Sequence, residues 1–255
     1  MIQSSITPAA GKRLIARSII RHNAVSAALE SNTVVIVAGT TNGYVAEELL
    51  AACGERSRFS CKRFFRGITL PPYQKITDSG RLPDQSGFPG DGVIQKGSWL
   101  KGKNIFDVVG ELKEGDIILK GANAVDLLKK QAGVLIGDLK GGTITAALQA
   151  VVGRRVRLIL PVGLEKRVSL DLNTIASLLN TPGARGARML PVPGEVVTEL
   201  EAVNILTGAS AELVAAGGVC GAEGTVWLAI SGTPEQEAAA KELLNEIRKE
   251  PNFML

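Results

Sequence analysis

The chain of 255 residues is long enough for one large domain or for a large and a small one, and its apolar fraction of 45% supports a sizeable core. Aromatic residues make up 4% of the chain, and 29 basic residues are balanced by 25 acidic ones. This composition argues against a nucleic-acid-binding protein, which typically has a basic face with aromatic side chains that stack on bases.

Metal and membrane sites are also disfavoured. The three cysteines, Cys53, Cys61 and Cys220, share no metal-ligand spacing, and we expect the single histidine, His22, at the surface. The sequence therefore implies reduced thiols, no metal and no cofactor. It shows no signal peptide, and no apolar run approaches the roughly 18 residues of a membrane span. We expect a cytoplasmic protein without a membrane partner.

The first predicted element, after a start expected to be disordered, is a helix over residues 8–29 with an apolar stripe that includes Leu14, Ile15 and Ile19. Residues 34–38 follow as an apolar, β-branched strand of the kind that is buried on both faces. Residues 44–50 again have helical spacing. The sequence thus predicts a strand, a turn of small residues and a helix in direct succession.

The turn between that strand and helix consists of Gly39, Thr40, Thr41, Asn42 and Gly43. Such a geometry directs free backbone N–H groups and the positive end of a helix dipole at one point. That point suits a phosphate or a carboxylate. An ordinary strand-to-helix turn, in which Gly and Thr only make the bend, explains the same residues equally well.

The middle of the chain is less regular. Residues 59–68 mix aromatic and basic side chains and are predicted as a second strand, with Arg66 a surface residue or a local ligand contact. Residues 70–92 are rich in Pro, Gly, Asp and Ser and are predicted as a long loop, either a lid or a surface excursion. A short helix at 104–112 precedes a buried strand at 116–120.

A repeated order of strand, glycine turn and helix follows. Strands are predicted at 133–137 and 156–160, and helices at 144–152 and 171–179. This order predicts a mostly parallel sheet with helices on both faces. Because crossovers between parallel strands are right-handed, the turns that follow the strands gather at the carboxyl edge of the sheet.

The end of the chain has a different order. The predicted order is a strand at 187–192, a helix at 196–206, strands at 212–217 and 225–230, and a helix at 234–247, for which Thr233 and Pro234 form a typical start. This order is most of a ferredoxin-like unit. We predict an α/β domain over residues 1–192 and a small ferredoxin-like α+β domain over residues 193–255.

The candidate site lies where three glycine-containing turns would meet at the sheet edge. Lysines, hydroxyl groups and free amides in one place suit a small phosphorylated ligand, although each lysine taken alone is more simply a solvated loop residue. The candidate phosphate-binding residues are Gly39, Thr40, Thr41, Asn42, Gly43, Lys120, Asn123, Asp126, Gly141, Gly142 and Thr143.

The order of these turns resembles ribose-5-phosphate isomerase A and the wider superfamily of sugar-phosphate isomerases, deaminases and CoA transferases. Residues 39–43 resemble its GTGST-type phosphate loop, 121–126 its GADE-type segment and 140–143 its KGGGGAL segment. Residues 163–166 resemble its DESK-type turn, and 190–197 its LPVEV-type segment. The resemblance implies a sugar-isomerase-like fold with a ferredoxin-like domain, assembled as a homodimer or homotetramer.

The departures from this family concern proton transfer. Where the family carries acidic residues, this chain has Lys120, Asn123 and Ala124, and neither Asn nor Ala can accept a proton. We therefore expect a protein without ribose-5-phosphate isomerase activity that keeps the phosphate-binding residues. Its expected ligand is a small anion of the sugar phosphate, nucleotide or CoA ester class.

An alternative is an enzyme of altered chemistry, of transferase or isomerase type, acting on a phosphorylated or CoA-linked substrate. Its catalytic residues would be Glu165 with Lys140 or Lys166, because CoA transferases of this superfamily use a glutamate nucleophile. A simpler interpretation makes Glu165 a surface carboxylate paired with Lys166 or Arg167. A third possibility is a role in assembly alone, with residues 214–220 at a subunit interface.

Overall fold

The computed structural model describes residues 1–67, 69–70, 73–74 and 87–254. These residues form a mixed α/β protein with one six-stranded sheet and two small antiparallel sheets. Within the described ranges, no helix is both long and apolar enough to cross a membrane. The loop predicted at residues 70–92 lies for the most part outside the described residues.

The helices of the described chain are α1 (Pro8–Arg21), α2 (Asn23–Ser31), α3 (Thr40–Ala52), α4 (Ile105–Val108), α5 (Gly142–Arg154), α6 (Leu172–Leu179), α7 (Glu199–Thr207) and α8 (Pro234–Ile247). The strands are β1 (Ile2–Ile6), β2 (Thr33–Ile36), β3 (Gly92–Gln95), β4 (Ser98–Trp99), β5 (Ile117–Leu119), β6 (Ala124–Asp126), β7 (Gln131–Ile136), β8 (Arg157–Pro161), β9 (Arg188–Val192), β10 (Glu195–Val197), β11 (Ser210–Ala216) and β12 (Val226–Ser231).

The six-stranded sheet has the order β10-β8-β5-β2-β3-β4. The neighbours from β10 to β2 are parallel, whereas β3 runs antiparallel to β2 and β4 antiparallel to β3. The sheet is therefore mixed, with a parallel part that carries the predicted strands at 34–38, 116–120 and 156–160. The β3–β4 hairpin forms a further edge for which the sequence analysis predicts no strand.

The side chains of the central strand β2 alternate between two cores. Val34 and Ile36 belong to the core on one face, Val35 and the following Val37 to the core on the other, and none of the four is more than 1% exposed. Residues of α1 and α3 cover the first face, and residues of α4 and α5 cover the second. A strand buried on both faces, as predicted, requires this double cover.

The strand predicted at 133–137 is not part of the parallel sheet. It lies within β7, which pairs antiparallel with β6 and with β9 in a separate three-stranded sheet. The reason is the short connection between β6 and β7, in which Lys130 has a positive φ of 48°. A connection of this length can join antiparallel strands, whereas a parallel pair needs a long crossover.

The first residues of the chain are a strand, contrary to the expectation of a disordered start. β1 pairs antiparallel with β12, and β12 also pairs with β11. In the other direction, β10 pairs with β8 of the six-stranded sheet. Two strand pairs, β1 with β12 and β8 with β10, thus join residues 1–192 to residues 193–255 across the predicted domain boundary.

Three further predictions are wrong in detail. The single helix predicted at 8–29 is divided at His22, whose extended backbone ends α1. The helix predicted at 196–206 begins later, as α7 at Glu199, because Thr198 caps it in a reciprocal pair with Glu201. Residues 195–197 are therefore free to form β10. Residues 59–67 contain no strand, and Cys61–Arg63 form one turn of 3-10 helix.

Candidate functional site

A cavity of about 650 Å³ opens where β2, β5 and β8 end and where the turn after β7 approaches them. This volume is in the range of small-molecule sites, which are typically ~300–1,000 Å³. The residues that line it are Ala38, Gly39, Thr40, Thr41, Arg66, Gly67, Thr69, Phe106, Lys120, Gly121, Ala122, Asn123, Val134, Leu135, Ile136, Gly137, Asp138, Gly141, Gly142, Thr143, Ile144 and Lys166.

The structure brings most of the sequence-predicted site residues to this one cavity. Those that line it are Gly39, Thr40, Thr41, Lys120, Asn123, Gly141, Gly142, Thr143 and Lys166. Those that do not line it are Asn42, Gly43, Asp126, Lys140 and Glu165. The turn after β7 reaches the cavity although β7 belongs to another sheet.

The N-terminus of α3 forms one wall. Gly39 is its N-cap residue, and no side chain caps the helix there. The first N–H groups of a helix have no partner within the helix, and they carry the positive end of its dipole. Thr41 in this first turn is 2% exposed, and its Oγ1 makes no hydrogen bond to any described residue. This wall therefore offers N–H groups and a buried hydroxyl to an anion.

The N-terminus of α5 forms a second wall of the same kind. Its N-cap residue, Gly141, has a φ of 83°, Gly142 has a φ of 63°, and no side chain caps the helix. A Cβ atom on Gly141 would lie 1.8 Å from the Oγ1 atom of Thr145, so this position requires glycine. Two uncapped helix N-termini thus face one cavity.

Three cationic side chains line the cavity with them: Arg66, Lys120 and Lys166. Burial lowers the pKa of Lys120 to about 8, and the charges of Lys166 and Arg66 lower it too, while Asp91 opposes them. Burial also lowers the pKa of Lys166, against the attraction of Glu165. Within the described chain, neither lysine has a carboxylate close enough for an ion pair. The cavity thus has a strongly positive wall.

Arg66 is held in place by the buried carboxylate of Asp91, which is 1% exposed. Its Oδ1 lies 2.9 Å from Arg66 Nη1 and accepts a hydrogen bond of 2.9 Å from the N–H of Ala38, and its Oδ2 accepts one of 2.8 Å from the N–H of Ile105. The guanidinium also lies 5.0 Å from the ring centroid of Phe88. Asp91 therefore joins the end of β2, the start of α4 and Arg66.

Asn42 and Gly43 have structural roles behind the cavity wall. The buried Asn42 Nδ2 donates hydrogen bonds of 2.7 Å to the carbonyl of Val37 and 2.9 Å to that of Leu119. It thereby connects the carboxyl ends of β2 and β5. A Cβ atom on Gly43 would lie 3.0 Å from the Cβ of Cys61, so a small residue is needed for this contact.

Two further predicted residues lie elsewhere. The Asp126 carboxylate accepts hydrogen bonds of 3.0 Å from the N–H groups of Leu128 and Lys129, and so shapes the turn between β6 and β7. Lys140 is exposed and does not line the cavity, and its N–H donates a hydrogen bond of 2.6 Å to Asp138 Oδ1. Their placement does not favour contact with a ligand in the cavity.

Glu165 is not a surface carboxylate paired with Lys166 or Arg167. Its Oε1 accepts a hydrogen bond of 2.9 Å from Nζ of Lys12 in α1, and its Oε2 is buried without a partner among the described residues. Burial alone would raise the pKa of Glu165, but Lys12 and Lys166 bring it below its usual value. Glu165 is therefore an ionised group of the protein interior, next to the cavity but outside its lining.

A second buried carboxylate, Glu199, lies behind Glu165. It is 1% exposed, and its Oε2 accepts a hydrogen bond of 2.9 Å from the N–H of Leu164. Burial raises its pKa to about 7, and the negative charge of Glu165 adds to this effect. It also fills the space beside Gly11, where a Cβ atom would lie 2.2 Å from Oε1. Nothing in the sequence next to Glu199 indicates that it belongs to a charged cluster.

The remaining lining is largely apolar. It comes from β7 with Val134, Leu135 and Ile136, and from Phe106 in α4, whose side chain is 58% exposed. None of these residues was predicted to line the site, and the strand that became β7 was expected in the parallel sheet. A ligand of this cavity would contact a cationic wall and an apolar one.

Comparison of the chain with protein-family models, with curated proteins and with solved structures found no match. Among the residues that the structure describes, no cluster of three or more His, Cys, Asp or Glu side chains could hold a metal ion. The chemistry of the site therefore has to be derived from the charges and hydrogen-bonding groups around the cavity.

Proposed function

We propose that this protein binds a small phosphorylated metabolite in the cavity at the carboxyl ends of β2, β5 and β8. The observation that carries this proposal is the convergence of two uncapped helix N-termini and three cationic side chains, Arg66, Lys120 and Lys166, on one cavity. Helix N-termini provide N–H donors and a positive potential, which together suit a phosphate.

A phosphate group fits this wall better than a carboxylate does. Phosphate monoesters carry a charge of about −1.5 to −2 at neutral pH and three strong acceptor oxygens. The wall offers more hydrogen-bond donors than the two oxygens of a carboxylate would use. These donors include the buried hydroxyl of Thr41 and Nε of Arg66, neither of which has a partner in the described chain. Sugar phosphates, nucleotides and CoA esters all carry such groups.

The proposed function does not include ribose-5-phosphate isomerase activity. Asp138 is the one carboxylate among the described residues that line the cavity, and its Oδ1 accepts a hydrogen bond from the N–H of Lys140. Isomerization needs a carboxylate base that can move a proton between two carbon atoms. Asn123 and Ala122, which also line the cavity, cannot supply it.

The motif order also leads us to propose a sugar-isomerase-like fold for the larger unit and a ferredoxin-like arrangement for β1, β11, β12, α7 and α8. The parallel strands, with glycine turns at their carboxyl ends, support the first of these assignments. By the same resemblance we propose a homodimer or homotetramer, and the molar mass in solution, measured by light scattering, tests the assembly. We also propose a cytoplasmic location, since the three cysteines are unpaired.

Replacing Thr41 with valine tests the phosphate site. In the free protein the Thr41 hydroxyl is buried and has no partner among the described residues, so its removal should raise the free energy of unfolding by up to about 1 kcal/mol. In the complex the hydroxyl donates to the ligand, so its loss should weaken binding about tenfold. Calorimetric titration with phosphate, sugar phosphates, nucleotides and CoA esters measures the second effect, and thermal unfolding the first.

Thr225→Val is the matched control. Thr225 is also buried, its Oγ1 also has no partner among the described residues, and it does not line the cavity. This variant should gain similar stability and keep the affinity of the unaltered protein. Equal affinities of the Thr41→Val and Thr225→Val variants for every phosphorylated compound would contradict the proposed site.

A further inference from the structure

Lys120 differs from an ordinary anion-binding lysine in its surroundings. Its Nζ donates one hydrogen bond, of 3.2 Å, to the carbonyl of Gly121, and it forms no ion pair with any described carboxylate. Two other cations, Arg66 and Lys166, line the same cavity. The carboxylate of Asp91 is nearby, but it already forms an ion pair with Arg66 and accepts hydrogen bonds from two backbone N–H groups.

These surroundings make the neutral amine of Lys120 more accessible than that of an exposed lysine. An ammonium ion is destabilised by burial and by neighbouring positive charges, and here both act together. Accordingly the pKa of Lys120 is lowered to about 8, so roughly a tenth of the amine is unprotonated at pH 7, far more than in an ordinary lysine. Burial lowers the pKa of Lys166 as well, but the charge of the adjacent Glu165 stabilises its ammonium form, so Lys166 is less suited to this role.

We propose that Lys120 forms an imine with the carbonyl group of a phosphorylated aldehyde or ketone bound in the cavity. This inference rests on the proposed function, because the phosphate group at the helix N-termini would position the carbonyl near Nζ. Neutral lysines in desolvated sites or beside a second cation are effective nucleophiles toward carbonyl groups. The ligand class is thereby narrowed to phosphorylated carbonyl compounds.

The reaction needs no further reagent. The lone pair of Nζ attacks the carbonyl carbon, a C–N bond forms, and the carbonyl π electrons move to the oxygen, which takes up a proton. The carbinolamine then loses its hydroxyl group and the nitrogen proton as water, and a C=N bond remains. Arg66 and Lys166 supply positive charge beside the oxygen as it becomes negative.

The test compares dihydroxyacetone phosphate, which has a ketone, with glycerol 3-phosphate, which has an alcohol at the same carbon. The protein is incubated with the ketone at about pH 7.5, reduced with borohydride and digested, and the modified lysines are identified by mass. Each modification adds the mass of the ketone less one oxygen atom. We expect at least about tenfold higher modification of Lys120 than of the exposed Lys140, and suppression by glycerol 3-phosphate.

The variant Lys120→Arg tests whether the modification requires the amine of Lys120. Arginine forms no imine, so this variant should lose the modification at position 120, while the exposed Lys140 should be modified to the same small extent as in the unaltered protein. Modification of Lys120 that is no greater than that of Lys140 would overturn the inference, whether or not glycerol 3-phosphate binds. Separately, tight binding of glycerol 3-phosphate without modification leaves the phosphate site standing, and absence of binding contradicts the phosphate site itself.

Discussion

Replacing Asp91 with alanine should lower the free energy of unfolding by roughly 3–5 kcal/mol, as expected when one partner of a buried, hydrogen-bonded ion pair is removed. The substitution leaves the N–H groups of Ala38 and Ile105 without their acceptor and leaves Arg66 without its carboxylate. Each buried donor that loses its acceptor costs about 1–3 kcal/mol. Asp91→Asn should cost less, because it keeps one acceptor oxygen.

The loss should extend to the cavity, because Asp91 positions both the end of β2 before α3 and the guanidinium of Arg66. We therefore expect the Asp91→Ala protein that remains folded to bind phosphate more weakly as well. Asp107→Ala is a suitable control, since the exposed Asp107 accepts a hydrogen bond of 2.8 Å from the N–H of Asn104 at the same helix start. Loss of this cap should cost about 1 kcal/mol.

Urea denaturation at neutral pH, followed by circular dichroism, compares the three proteins on one scale. The expected order of stability is the unaltered protein, then Asp107→Ala, then Asp91→Ala by a wide margin. If Asp91→Ala were no less stable than Asp107→Ala, the role of Asp91 as the joint between β2, α4 and Arg66 would be wrong.

Much of the parallel sheet can be predicted from the sequence, because the signals that produce it are local. The run of Val and Ile at 34–37 is buried on both faces, and the glycine turns mark where the strands end. The start of α8 follows from Thr233 and Pro234, which lie next to each other in the chain. Each of these patterns involves residues a few positions apart.

The features that the sequence did not reveal depend on residues far apart in the chain. Asp91 contacts Ala38 and Arg66, and nothing in the neighbourhood of any of the three in the sequence indicates the other two. Likewise the partner of Glu165 is Lys12, 153 residues earlier. β1 was missed for the same reason, since five residues of a strand become stable only when β12 pairs with them.

The orientation of β7 could not be predicted from the sequence for a different reason. Its apolar run predicts a strand correctly, but a short apolar run does not distinguish a parallel strand from an antiparallel one. The deciding feature is the short turn after β6, which the sequence analysis did not use. The turn from Asp138 to Thr143 nevertheless contributes to the cavity lining. This glycine turn therefore lies near the turns after β2 and β5, as predicted, although its strand belongs to a different sheet.

Lys12, Glu165 and Glu199 form a buried cluster of charged groups next to Lys166. Lys12 neutralises Glu165, whereas Glu199 has a backbone N–H of Leu164 as its donor and a pKa raised to about 7. A carboxyl group whose pKa is higher in the folded state than in the unfolded chain binds its proton more tightly when folded. The contribution of Glu199 to stability therefore falls as the pH rises from about 4.5 to about 7 and is lowest above that window.

Replacing Glu199 with glutamine should remove this dependence. The amide keeps an oxygen that can accept from Leu164 and carries no charge, so Glu199→Gln should be more stable than the unaltered protein at about pH 8, by up to about 3 kcal/mol. The gain should shrink toward zero near pH 5, where Glu199 is protonated in the folded protein. Glu212→Gln, on the exposed face of β11, should show no such pH-dependent gain. Urea denaturation at both pH values measures the difference. A gain that was equal at the two, or larger at the lower one, would mean that Glu199 does not take up a proton between them and that its pKa is not raised as described.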